Sequence, residues 1–304
     1  MIEFLAATIR IATPLALAAL GGILSERAGV FAVGLEGMML AGAFAATVGA
    51  WASGEPAIGM LLALIGGAAI GLAVAIVAVR FRADNMVTGL AVNILSLGLT
   101  SYLMRIIAGG GRPVNIHLTP LAALPIPGLA DIPVLGRLLF THPPLTYVTA
   151  LGCVALTLFL GRTQAGLTLR ATGENPEAVF ASGANPLIVR MLAVVSGGAI
   201  AGLGGAVLTL QQVGTFTDGM TSGRGYLALA ALIVGRWTPW GAAAACLVFG
   251  AAEAFELRLQ SFGVPVSSYI IQMVPYLIAL AVLAGLGQSS KLPASIGQPL
   301  QREH

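Results

Sequence analysis

Glu36 stands alone as an ionisable group in the middle of residues 29–50, GVFAVGLEGMMLAGAFAATVGA. A charge inside hydrocarbon costs at least about 2.5 kcal/mol unless it faces a cavity or a partner. Two readings meet that requirement: a substrate or gate residue on a solute path, or a carboxylate capping a broken helix. Both need the backbone to be interrupted near Glu36. Asn93, in TGLAVNILSLGL, poses the same choice for an amide: it can face a path or bridge helices, and bridging is the commoner use. Gln211 and Gln212, with Thr215 and Asp218, close a long apolar segment just before Arg224. They suit either the lining of an outer vestibule or a solvated loop, the ordinary place for such a cluster.

Covalent chemistry has no comparable foothold. His117, His142 and His304 are far apart, and Cys153 and Cys246 sit in apolar runs with no acid or histidine at ligand spacing. They suit packing rather than a disulfide or a metal. No G-x-x-x-x-G-K-[ST] loop occurs, and the single lysine is Lys291, so the chain cannot hold a nucleotide by that device. The sequence offers no catalytic set and no metal site, and no cofactor is expected in this chain.

The longest polar stretch with helix-forming character is 167–190, LTLRATGENPEAVFASGANPLIVR. Asn175-Pro176 and Asn185-Pro186 are two helix starts, because Asn caps and Pro is tolerated in the first turn. A short helix is expected from Pro176 to about Ser182, ended by Gly183, with the next helix opening at Pro186. A short rigid helix between two membrane spans can transmit a rotation where a floppy loop cannot; an ordinary helical connector is the plainer alternative.

These residues must be positioned by membrane helices. Of the 304 residues 57% are hydrophobic and only 9% charged, with a mean hydropathy of +0.93. A soluble domain carries about 25% charged residues. Apolar segments fall at roughly 3–24, 29–51, 57–79, 86–107, 143–160, 190–212, 226–257 and 269–287, several long enough to cross about 30 Å of hydrocarbon. The fold class is all-α: a polytopic transmembrane bundle of about 8–10 segments, some broken or re-entrant, forming one domain over 1–304. The first segment is expected to be retained rather than cleaved as a signal peptide. Residues 108–144 form a long Pro-rich loop, placed outside the cytoplasm and lying against the bundle.

The basic residues are fourteen Arg and one Lys, scattered at segment ends for a net charge of +3. Membrane lipid is the partner this implies, not nucleic acid. With a coupling loop at about 161–190 on the cytoplasmic side, Arg80, Arg82, Arg162, Arg170, Arg190, Arg236, Lys291 and Arg302 fall inside, with Arg27 a ninth. Arg105, Arg112, Arg137, Arg224 and Arg258 fall outside. Five simple spans precede Leu167, so a cytoplasmic N-terminus would require a re-entrant or broken element. Two segments suit a break: 29–50 around Glu36, and 225–251 at Arg236, Pro239 and Gly241. Paired interrupted segments in the two halves form a faint internal repeat of the kind that places a transporter's site at mid-membrane. Gly67 with Gly71, and Gly198 with Gly202, read as close-packing pairs within the bundle. Tyr226, Trp237 and Trp240 read as interfacial anchors.

Four blocks in order, SERAGVFAVGLEGMMLAGAFAA (25–46), RADNMVTGLAVNILSLGLTSYL (82–103), GLTLRATGENPEAVFASGAN (166–185) and SGGAIAGLGGAVLTL (196–210), resemble the permease subunits of bacterial ABC importers for nucleosides and simple sugars. That group is related to the ribose and branched-chain amino-acid permeases. The resemblance implies an importer subunit of the bacterial cytoplasmic (inner) membrane, working by alternating access. Its partners would be a cytoplasmic ABC ATPase, a second permease (a paralogue or a copy of itself) and an extracytoplasmic solute-binding protein. It places Arg170, Gly173, Glu174, Asn175, Pro176 and Ala178 at the ATPase contact, leaving Glu36, Asn93, Gln211 and Gln212 for the substrate pathway. A different class, an ion-gradient-driven carrier using Glu36 as coupling acid, is the alternative.

Overall fold

The computed structural model describes residues 2–107, 118, 120–125, 135–261, 273–286 and 292–298. The rest of the 108–144 loop, along with His117, Lys291, Arg302 and His304, lies outside the described residues. Nearly everything described is helical: α1 (Ile2–Arg27), α2 (Leu35–Ser53), α3 (Pro56–Val74), α4 (Asn85–Ile107), α5 (Leu135–Leu139), α6 (Pro144–Arg162), α7 (Gln164–Glu174), α8 (Pro176–Ala181), α9 (Pro186–Val207), α10 (Arg224–Val234), α11 (Pro239–Ser261) and α12 (Val274–Leu286). A π-helical turn extends α3 over Ala75–Arg80 and another extends α9 over Leu208–Val213. Six of these helices are long and apolar enough to cross a membrane: α1, α2, α3, α4, α6 and α9 with their extensions. The expected all-α polytopic bundle is what forms.

Pro opens α3, α6, α8, α9 and α11 at or next to the first position, where its missing N–H has no intrahelical partner to lose. Pro14 lies inside α1, an otherwise continuous helix. The core is built of α1, α2 and α9, whose apolar windows are mostly buried, whereas α4 and α6 turn most of their surface outward. The glycine pairs explain how closely the central helices approach. A Cβ on Gly71 would lie 2.8 Å from the Val194 carbonyl oxygen, and one on Gly67 would lie 2.7 Å from Gly202 Cα and also strike the Gly198 carbonyl oxygen. The two pairs pack against each other, α3 on α9, as close-packing signals should.

The direction of each helix follows from its neighbours. Arg27, the last residue of α1, meets Gly173 of α7, and a 26-residue helix spans about 39 Å. Ile2 therefore sits at the end of the bundle opposite α7–α8. The five traverses before Leu167 need no re-entrant element, because the chain starts on the far side. The ends bearing Arg27, Arg80, Arg82, Arg162 and Arg170 gather at the α7–α8 end, as the charge bias requires.

The segment 226–257, expected to be interrupted at Arg236, Pro239 and Gly241, is two helices parted at residues 235–238. In the 29–51 segment the interruption precedes Leu35, so Glu36 lies in the first turn of α2 rather than at a break in mid-helix. In the 108–144 loop, the described strands β1 (Leu124–Pro125) and β2 (Thr141–His142) form one short antiparallel pair. Leu118 and Leu121 donate backbone hydrogen bonds of 2.7 Å to Gly214 and Leu210, so this part of the loop does lie against the bundle.

Candidate translocation site and coupling surface

Residues 28–34 carry the chain from the C-terminus of α1 back into the bundle without a helix, and α2 starts part-way through. Residues 214–223 do the same after α9, delivering α10. The N-termini of α2 and α10 abut: a Cβ on Gly225 would lie 2.5 Å from both Glu36 N and Glu36 Cα. Only glycine allows that approach. Glu36 itself accepts hydrogen bonds from Gly223 N (2.8 Å) and Gly225 N (2.7 Å). Gly223 holds φ at +82°, which turns its N–H toward the carboxylate. An anion on two otherwise orphaned N–H groups is the stabilising occupant of a helix N-terminus. Of the two readings of Glu36, the cap of a broken helix is therefore realised, the helix being α10.

Asn93 joins the same place. Its Oδ1 accepts from Gly37 N at 2.8 Å, and its Nδ2 lies 2.9 Å from the Val33 carbonyl and 3.0 Å from Tyr226 Oη. The amide thus closes the start of α2, bridges α4 to the non-helical return, and orients the first turn of α10. Asn93 lies eight residues into α4, roughly 12 Å from its start. Tyr226, although 42% exposed, is thereby held at that depth rather than at a helix end, which corrects its reading as an interfacial anchor.

Ten residues before Glu36 a second acid performs a related task. Glu26 is fully buried; its Oε1 accepts from Ala32 N (3.2 Å) and its Oε2 from Trp237 Nε1 (2.5 Å). Arg27 Nε donates to the Trp237 carbonyl at 3.0 Å. Arg236 and Trp237 both adopt positive φ, +56° and +54°, a backbone conformation costing about 1–3 kcal/mol per residue for a side-chain-bearing residue. These bonds hold that turn in place. Trp237 is a buried clasp between α1 and the 235–238 turn, not a membrane-interface anchor; the anchor reading suits only the exposed Trp240. Trp237→Phe keeps an aromatic ring, though a smaller one, and removes the bond to Glu26. It is expected to destabilise the purified protein by about 1.5–3 kcal/mol, seen as a lower thermal unfolding temperature. An unchanged unfolding temperature would show the clasp to be unimportant.

Gln211 and Gln212 lie elsewhere. Gln211 Nε2 is 3.3 Å from Thr146 Oγ1, and Gln212 Nε2 donates to the Arg10 carbonyl at 2.9 Å. They tie the π-helical end of α9 to α6 and α1 at the end away from α7–α8. The structure brings Glu36 and Asn93 together and leaves the two glutamines apart from them. Arg224, the first residue of α10 and so beside Glu36 rather than beside the glutamines, pairs with Glu253.

At the opposite end the Asn-Pro pairs cap as their types dictate. Thr163 caps α7 through Gly166 N (3.0 Å), Asn175 caps α8 through Ala178 N (3.0 Å), and Asn185 caps α9 through Leu187 N (3.0 Å). Pro176–Ala181 is the short helix, ended by Ser182 and by Gly183 at φ +89°. Glu174, Asn175, Glu177 and Ala178 are exposed while Val179 is buried against the bundle. Phe180, 55% exposed beside these acids, is the residue that the sequence reading passed over; its signal was an aromatic side chain three and two residues on from Glu177 and Ala178 in the short helix's exposed face. Arg170 is partly buried. Gly173 is buried because a Cβ there would strike the Arg27 carbonyl, so its role is to seat α7 on α1. Among the described residues no cluster of His, Cys, Asp and Glu could hold a metal, and both cysteines are free and buried.

Comparison with known proteins gives a consistent answer. The family described as branched-chain amino acid transport system / permease component matches residues 4–287. The guanosine ABC transporter permease protein NupQ of Bacillus subtilis is 36% identical over 302 residues, covering 96% of this chain and 94% of that protein. The nucleoside ABC transporter permease protein NupC of Lactococcus lactis is 34% identical over 283 residues, covering 90% and 88%. A second guanosine permease protein of Bacillus subtilis, NupP, is 29% identical over 293 residues, covering 93% and 80%. No solved structure matches the chain. The ion-driven carrier finds no support in these relatives, and the acid it would have used is spent on capping α10. The chain belongs to the branched-chain amino acid transport system permease family, and is the multi-pass, cytoplasmic-membrane permease component of an ATP-binding-cassette transport system.

Proposed function

We propose that this permease imports nucleosides by alternating access, driven by ATP hydrolysis in a separate subunit docked on α8. The observation that carries the substrate class is the 36% and 34% identity, over nine-tenths or more of the chain, to permeases named for guanosine and nucleosides. The docking reading is supported by the rigid, doubly capped α7–α8 hairpin and its exposed Glu174, Glu177 and Phe180. Arg170, Gly173, Asn175, Pro176 and Ala178 shape or hold that surface. A second permease completes the pore, since Bacillus subtilis NupQ and NupP are two such proteins of one named substrate and this chain matches both. An extracytoplasmic binding protein delivers the solute. Glu36 and Asn93 set the mid-membrane geometry of the path, while Gln211 and Gln212 stand toward its outer end.

The test of transport is uptake of radiolabelled guanosine, with glucose as control, by proteoliposomes holding the whole complex. ATP-dependent accumulation of guanosine but not glucose is expected; accumulation of glucose alone would overturn the nucleoside reading. Docking is tested through Glu174, an exposed carboxylate that accepts one long hydrogen bond, 3.4 Å from Ala294 N, and lies within electrostatic reach of Arg27. Glu174→Arg therefore reverses a surface charge without opening the core. Glu174→Arg and Phe180→Ala are each expected to lower the ATPase recovered with the purified permease by about tenfold, the equivalent of roughly 1.4 kcal/mol. Equal recovery from both variants and wild type would remove α8 from the interface.

A further inference from the structure

Residues 292–298, LPASIGQ, lie far from any span core yet are pinned into the α7–α8 end by a cluster of buried bonds. Arg190, 3% exposed, extends from the first turns of α9. Its Nε donates to the Ala28 carbonyl (3.1 Å), its Nη1 to the Gln298 carbonyl (2.8 Å), and its Nη2 to Ser295 Oγ (2.9 Å) and the Ser295 carbonyl (3.3 Å). Ser295, 5% exposed, donates from its backbone N to the Gly173 carbonyl at 2.9 Å. Its Oγ stands 2.7 Å from that same oxygen and 3.1 Å from the Thr172 carbonyl. Gly297 N donates to the Gly29 carbonyl at 3.1 Å.

The partners of this segment are the last turn of α7, the Ala28–Gly29 junction where α1 gives way to the non-helical return, and the start of α9. Those are the places where the proposed docking hairpin meets the backbone leading to Glu36 and α10. The chemistry of Arg190 argues against simple packing. Among the described residues its buried cation faces carbonyl and hydroxyl oxygens and no carboxylate, and well-packed apolar residues would fill such a place at lower cost. What the guanidinium supplies is direction: its fork ties two chain segments, the Ala28 junction and 295–298, to α9 at set angles. The Ala28 carbonyl belongs to the negative C-terminal pole of α1, which favours a cation there.

We infer that residues 292–298 form a coupling strap, with Arg190 and Ser295 as its positioning residues, that carries motion of α7–α8 to the 28–34 return. The strap makes the hairpin and the return one mechanical unit, so that a displacement of α8 is felt at the N-termini of α2 and α10. This inference rests on the docking of the ATPase at α8, and ATPase recovery with the wild-type chain reports on that docking separately.

The test uses the whole complex in proteoliposomes with the loaded binding protein and guanosine as probe. The quantity measured is guanosine imported per ATP hydrolysed, for wild type, Ser295→Ala and Arg190→Met. A merely structural defect lowers the amount of working complex without moving that ratio. Undiminished ATPase recovery with a ratio lowered about tenfold is expected, one charge-assisted hydrogen bond's worth of coupling. A ratio unchanged in both variants, whether or not total uptake falls, would overturn the strap. A wild-type chain that recovers no ATPase would remove the docking reading and the strap with it, before any ratio is measured.

Discussion

Glu36→Ala is expected to abolish import and to lower the unfolding temperature of the purified permease. The substitution leaves the N–H groups of Gly223 and Gly225 facing an apolar methyl where a carboxylate stood at 2.8 and 2.7 Å. Bonds to a charged acceptor contribute about 1.5–3 kcal/mol each, so the loss of two is on the order of 3–6 kcal/mol. That is a large share of the roughly 5–15 kcal/mol that holds a folded protein together. Glu36→Gln keeps one acceptor oxygen and is expected to fall between alanine and wild type in both measurements. Guanosine uptake and thermal unfolding, run on the same preparations, check the pair. If Glu36→Ala unfolds at the wild-type temperature, the capping account fails.

The second large effect belongs to Gly202. A Cβ there would lie 3.0 Å from Gly67 Cα and 3.1 Å from Gly67 N, besides striking the Ala63 carbonyl, while a Cβ on Gly42 of α2 would meet Gly202 in turn. Three helices converge on one hydrogen atom, and the atoms in the way are backbone, which has no rotamer to change. Overpacking against side chains costs about 1–3 kcal/mol; here α3 or α9 must move bodily. Gly202→Val is expected to leave almost no monodisperse protein after mild extraction, read by size-exclusion chromatography of a fluorescent fusion. Gly98→Val, at a glycine with open space around it, is the control and should behave as wild type. Normal recovery of Gly202→Val would refute the close-packing account.

Legibility followed the range of the interaction. The caps at Asn175 and Asn185 were readable because an Asn side chain bonds a backbone N–H two or three residues on, and the sequence places both partners side by side. The glycine pairs of α3 and α9 were readable as a type of contact, though not as contacts with each other. The breaks were visible as Gly, Pro and charge in apolar runs, but the first was placed at Glu36 when it lies in 28–34. What the sequence could not convey is pairing over distance. Nothing in the immediate neighbourhood of Glu26 gave it a role, and Trp237 read as an interfacial aromatic, until the fold set one against the other across 211 positions. Arg190 was legible only as one of the charges of the cytoplasmic side, although it is among the most deeply buried cations described. Propensity describes a residue and its immediate neighbours; burial is decided by the partner.

The two non-helical returns, 28–34 and 214–223, occupy opposite halves of the bundle's thickness, because α2 runs from their meeting point toward the far end and α10 toward the α7–α8 end. Each half of the thickness therefore has one stretch of wall made of coil, continued beyond the seam by the helix it leads into, the 19-residue α2 or the 11-residue α10. Coil can be reshaped by turning a few backbone dihedrals, whereas a helix must break several hydrogen bonds to do the same. The bundle thus carries a compliant panel on each face of the membrane, backed in both cases by the same rigid seam at Glu36. Opening one side need not loosen the other, which is the condition a pump must satisfy if solute is to cross and water is not.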